Sequence, residues 1–151
     1  MPSTRVPSAP GFTLVEMLIV LLIVAILASL AYPGYAGYVV KTRRMEGKVA
    51  LIGAMQRQEQ HHAQHHSYIA FSQAEPVDGL PWWSGSGPAT SFYELDAEAC
   101  PDSELRDCVR LRARPGTANV DARFVDPECG TLTLDSRGAQ GAGGTSGRCW
   151  P

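Results

Sequence analysis

Neither sign of charge dominates this sequence. Thirteen lysines and arginines stand against fifteen aspartates and glutamates, a formal charge of −2 with histidine neutral. That excludes a globally basic nucleic-acid binder and leaves room only for a local patch. Charged residues are sparse at 19% and hydrophobic ones reach 44%, which excludes a wholly disordered chain. Cysteine is absent before Cys100, and none of the four cysteines is spaced C-x-x-C, so redox chemistry of the thioredoxin kind has no pair to work with. No G-x-S-x-G, P-loop, paired catalytic carboxylates or Cys/His nucleophile arrangement is present. The expectation is a protein that is not an enzyme and needs no cofactor.

What is present is concentrated. Residues 12–32 read FTLVEMLIVLLIVAILASLAY, 21 residues carrying a single charge, Glu16. As a helix this segment would run about 32 Å, close to the ~30 Å hydrocarbon core of a bilayer. A core helix apolar on every side is out of proportion in so short a chain. The run is also too long for the apolar region of a secretory signal peptide, and Tyr32-Pro33-Gly34-Tyr35 makes a poor cleavage site. An intramembrane carboxylate is costly, so Glu16 calls for a partner. If the chain were cut after Gly11, the new ammonium of Phe12 would lie four residues away, on the same helix face.

Residues 1–16, MPSTRVPSAPG followed by Phe12-Thr13-Leu14-Val15-Glu16, resemble the type III signal of type IV prepilins. In that family a short leader ending in Gly precedes an aromatic, a hydroxyl residue, two apolar residues and Glu. The resemblance implies that residues 1–11 are a leader, removed after Gly11 by a prepilin peptidase. Phe12 would become the N-methylated first residue, and Glu16 would dock against a neighbouring subunit's amine to set axial register. This sequence departs from many relatives in having Ser8-Ala9-Pro10 before the Gly where they carry Lys or Arg. Counting cations alone, Arg5 against Lys41, Arg43, Arg44 and Lys48, would place the C-terminus in the cytoplasm. The leader motif and the cysteines, which suit an oxidising compartment, argue for the periplasm instead.

Past Pro33-Gly34 the helical pattern resumes through residues 33–67. Tyr35, Tyr38, Thr42, Met45, Val49 and Ile52 alternate spacings of three and four and fall on one arc. This predicts one helix from about residue 13 to about 65, bent or locally melted at Pro33-Gly34, with that arc lying against a globular domain and Arg43, Arg44, Gly47 and Lys48 mostly elsewhere. His61, His62, His65 and His66 form two i, i+4 pairs, but two imidazoles are half a zinc site and no third ligand is near in sequence. A solvated helix end is expected, and no metal.

Residues 68–151 differ in composition. Residues 72–91 are rich in Gly, Pro and Ser and read as loop, in which Trp82-Trp83 pin the chain to the core or form an exposed adhesive tip. Phe92–Asp96, Cys108–Ala113 and Thr131–Asp135 alternate apolar and polar residues and read as strands of an antiparallel meander. Cys100, Cys108, Cys129 and Cys149 permit three pairings. Cys100–Cys108 with Cys129–Cys149 is favoured, since each joins sequence neighbours and the second closes a glycine-rich tail worth about 3 kcal/mol in chain entropy. Arg110, Arg112 and Arg114 share one strand face, either a solvated outer face or a phosphate-binding stripe, the latter weakened by Asp102, Glu104 and Asp107.

The segments RRMEGKVALIGAMQRQEQHHAQHHSY and CGTLTLDSRG…CW resemble PilE-type minor pilins. The fold class this implies is α+β: a long N-terminal helix packed on a small antiparallel sheet, the type IV pilin fold with a C-terminal disulfide loop. The implied function is a minor subunit of a type IV pilus, supporting motility, adhesion or DNA uptake. Its implied partners are other pilins, the prepilin peptidase, the inner-membrane assembly platform and, before assembly, membrane lipid. Its place would be the inner membrane and then the fibre. A type II secretion pseudopilin shares the helix signature, and a DNA-binding minor pilin would use the arginine stripe. DNA is the less expected partner, because residues 68–151 are acidic overall.

Overall fold

The computed structural model describes residues 11–150; the leader residues 1–10 and Pro151, together with the side-chain surroundings of residues 31–34, lie outside that description. The chain divides into two units, Met1–Tyr38 and Val39–Pro151. One helix, α1, is assigned over Leu14–His65. Its start is set by Thr13, whose Oγ1 accepts the Glu16 backbone N–H at 3.2 Å, the first half of a capping box. Its end is set by His66, which turns into the left-handed region (φ 56°) and donates its N–H to the His62 carbonyl at 2.8 Å.

In the first unit the apolar side chains from Leu14 to Leu30 are exposed on every side of the helix. Among the described residues, no single helix is long and apolar enough to cross a membrane. Leu14–Leu30 and Tyr35–His65 taken as a pair pass that test, by length and composition only.

The second unit is built on a four-stranded antiparallel meander in sequence order: β1 Tyr93–Ala99, β2 Val109–Pro115, β3 Leu132–Asp135 and β4 Gln140–Ala142. Strand alternation does the sorting. Tyr93, Leu95 and Ala97, Val109, Leu111 and Ala113, and Leu132 and Leu134 are buried in one cluster with Leu51 and Ala54 of α1. The other face of the sheet carries the charged residues. The outer edge of β1 is not left open, since Phe71 and Ala97 exchange backbone hydrogen bonds at 2.9 and 3.2 Å and Leu95 N–H donates to the Trp82 carbonyl at 2.7 Å. Trp82 thereby pins the loop, packing on the core edge-to-face with Trp83 at 5.2 Å. Cys100 is bonded to Cys108 and Cys129 to Cys149.

The three expected strands are present, each within a residue or three of its expected ends. β4 went unread because it sits in the glycine-rich tail. Gly141 is there for space: a Cβ would come within 2.5 Å of Thr133 Oγ1 on the paired strand.

The face of α1 that meets the domain is not the one its apolar periodicity suggests. Arg44, Gly47, Lys48, Leu51, Ala54 and Gln58 are buried, whereas Met45, Val49 and Ile52 are exposed, Val49 at 63% and Ile52 at 47%. Tyr35 and Tyr38, read as part of the same arc, are exposed as well. Two features explain the reversal. Small residues let the helix approach closely: a Cβ on Gly47 would lie 2.9 Å from the Tyr93 ring. Polar residues on that face are held by specific partners: Arg44 by Asp126 and Glu128, and Gln58 by the backbone. Gln58 exchanges two hydrogen bonds with the backbone of Ile69, at 2.6 and 2.9 Å.

Candidate functional site

Arg44 is the centre of the helix–domain contact. It is 4% exposed, and its guanidinium donates to both carboxylate oxygens of Asp126 at 2.7 Å and to Glu128 at 3.0 Å. Asp126 also accepts the Tyr93 hydroxyl at 2.8 Å and the Cys129 N–H at 3.2 Å. Burial alone would raise the Asp126 pKa, but the bonds from Arg44, Tyr93 and Cys129 hold it below the usual carboxylate value. Burial, reinforced by Asp126, pushes the Tyr93 phenol well above its ordinary range. This network ties α1 to the disulfide-closed C-terminal segment. The apolar periodicity sets Arg44 outside its arc and so gives no sign of this network. The clue available in the sequence is the arginine's position one turn before Gly47, at the point of closest approach.

The arginine stripe on β2 faces acids on β1. Glu94, Asp96 and Glu98 stand opposite Arg114, Arg112 and Arg110 in register. Arg112 pairs with Asp96 at 2.6 Å and with Glu98 at 2.8 Å, and Arg114 pairs with Glu94 at 2.9 Å and with Asp96 at 3.3 Å. Arg110 has Glu98 on one flank and Asp135 on the other. Cross-strand pairs of this kind stabilise a sheet and leave little positive potential for a polyanion. The relevant acids were the alternating residues of YELDAEA, not Asp102, Glu104 and Asp107.

Three of the four histidines meet backbone carbonyl groups. His61 Nδ1 meets Ser67 O at 2.8 Å, His62 Nε2 meets Arg106 O at 3.0 Å and His65 Nδ1 meets His61 O at 3.1 Å. His61 stacks on His65 at 4.0 Å and His62 on Tyr68 at 4.3 Å. They close the helix end against the following chain. Among the described residues, the one convergent group of three metal-type ligands is Cys100, Cys108 and Asp135, and its two sulfurs are bonded to each other.

At the other end of α1, Gly11 and Phe12 precede the helix, Phe12 is exposed, and Glu16 lies in the first turn, where a carboxylate complements the helix dipole. An exposed apolar helix together with a meander and a disulfide-closed tail defines a pilin-like subunit. A family model described as "Prokaryotic N-terminal methylation motif" matches residues 8–32. A second, described as "Type IV minor pilin ComP, DNA uptake sequence receptor", matches residues 33–133, well over half of the chain. The chain belongs to the ComP family of type IV minor pilins. No curated protein and no solved structure matches it.

Proposed function

We propose that this chain is a structural minor subunit of a type IV pilus. In this reading it is held in the inner membrane with its C-terminal unit in the periplasm, is cleaved after Gly11, and is drawn into the fibre through its helix. The observation that carries the reading is the apolar surface of α1 left exposed in each unit: Leu14 to Leu30 in the first, and Met45, Val49 and Ile52 in the second. Exposed apolar surface on that scale within each unit marks an interaction site. Phe12 and Glu16 supply register, the ammonium freed at Phe12 meeting the Glu16 carboxylate of a neighbour. Mass analysis of sheared fibres should show a mature chain beginning at Phe12, and Glu16→Ala subunits should be cleaved but scarce in fibres. Intact leader in the fibres, or Glu16→Ala at the wild-type level, would refute the proposal.

A second reading, DNA uptake, is favoured by the description of the matched family. The paired arginine stripe does not favour it. The expected result is weak binding of duplex DNA by the full chain in neutral detergent, fading by about 150 mM salt, as a few phosphate contacts allow. Arg112→Gln with Arg114→Gln should leave that binding unchanged. Submicromolar affinity at the higher salt would make DNA uptake the leading function.

A further inference from the structure

A cavity of about 290 Å³ opens beside the Arg44 network, lined by Lys41, Arg44, Met45, Lys48, Glu128 and Arg148. Four of its six lining residues are cations, and the carboxylates within reach, Glu128 on its wall and Asp126 behind Arg44, are both engaged by Arg44. Lys48 is 9% exposed, and no carboxylate lies within ion-pair distance of its ammonium among the described residues. Its one aromatic neighbour, the Trp150 ring at 5.7 Å, attracts the charge but accepts none of its three N–H bonds at that distance. The Lys48 side chain is largely packed away and lines the cavity, where its ammonium presents a charge that no carboxylate neutralises. Burial, and then repulsion from Arg44, pushes the Lys48 pKa down, against a smaller upward pull from Asp126.

We propose that this cavity binds a phosphate-class oxyanion, with Lys48 as its buried donor and Lys41 and Arg148 closing over it. An excess of two positive charges matches a doubly charged tetrahedral anion better than a single carboxylate. Arg148 supplies a guanidinium fork and the two lysines supply point charges, a combination suited to several oxygens on one centre. Met45 gives the wall an apolar patch against which an ester substituent can rest. The source is therefore free phosphate or the headgroup of an anionic phospholipid.

The test uses the full chain in neutral detergent and follows its thermal midpoint and tryptophan fluorescence. Inorganic phosphate should raise the midpoint saturably, while chloride at equal ionic strength should not. Lys48→Met and Arg148→Gln should each raise the half-saturating concentration roughly tenfold, the loss of one charge-assisted hydrogen bond. Arg148 is exposed, so its variant tests the site even if the Lys48 variant repacks. Mixed micelles of short-chain phosphatidylglycerol that compete with phosphate, where phosphatidylcholine does not, would assign the headgroup. Competition by neither lipid, with phosphate still binding, would assign the free anion. No phosphate-specific response, or one unchanged in both variants, would overturn the site. DNA binding lost in both variants without any response to free phosphate would overturn it in favour of a nucleic-acid groove.

Discussion

Arg44→Met is expected to destabilise the globular unit by about 3–5 kcal/mol, because it strands the buried carboxylate of Asp126. Against a usual total of about 5–15 kcal/mol, that is a large fraction of the stability of a small domain. The double variant Arg44→Met with Asp126→Leu should recover much of the loss, since removing both charges leaves neither uncompensated. Acid should act in opposite directions on the two proteins. In the wild type the Asp126 pKa is held below its ordinary value of 3.8, so the stability it contributes is full above that value and is lost as the pH falls through the folded-state pKa. In Arg44→Met the same carboxyl keeps its burial and loses its main partner, so its pKa rises and the deficit shrinks on acidification. Urea unfolding of the full chain in detergent, followed across pH 7 to about 3, measures both trends. Equal stability of wild type and Arg44→Met at neutral pH would show that the network does not hold the helix to the sheet.

The elements of this fold were legible wherever a local rule decides them. The apolar run and the spacings of three and four place α1 from about residue 13 to about 65, and alternation locates β1, β2 and β3. The paired cysteines were legible because short separations and a glycine-rich tail leave few sensible closures. What was not legible is which side of the helix faces inward. Apolar periodicity reports that a face is meant to be buried, but not by what. In α1 the intramolecular contact adds to Leu51 and Ala54 the residues Gly47, a carboxylate-bound Arg44 and a backbone-bound Gln58, and these three do not read as core on a hydropathy scale. The arginine stripe shows the same limit. Its charge is read from β2 alone, but its effect depends on Glu94 and Asp96, partners that only strand pairing reveals.

Val49→Arg and Ile52→Arg separate the two meanings of that apolar periodicity. If the arc of Met45, Val49 and Ile52 packed on the domain, either arginine would be forced into a core and would unfold the unit. Both residues are exposed in the structure, so each variant should fold with stability within about 0.5 kcal/mol of wild type. The cost should appear at assembly instead. A Val or Ile side chain buried against a neighbouring helix contributes about 1.5–3 kcal/mol, and an arginine in its place adds the desolvation of an unpaired charge. Since 1.4 kcal/mol is tenfold in an equilibrium, each variant should enter sheared fibres at least about tenfold less than wild type, with leader cleavage unaffected. Arg44→Met predicts the converse order of events: a destabilised domain on a helix whose outward arc is untouched. A Val49→Arg chain that unfolds like Arg44→Met would restore the inward reading of the arc. A folded Val49→Arg chain found in fibres at the wild-type level would remove the arc from the subunit interface and leave Leu14 to Leu30 to carry assembly alone.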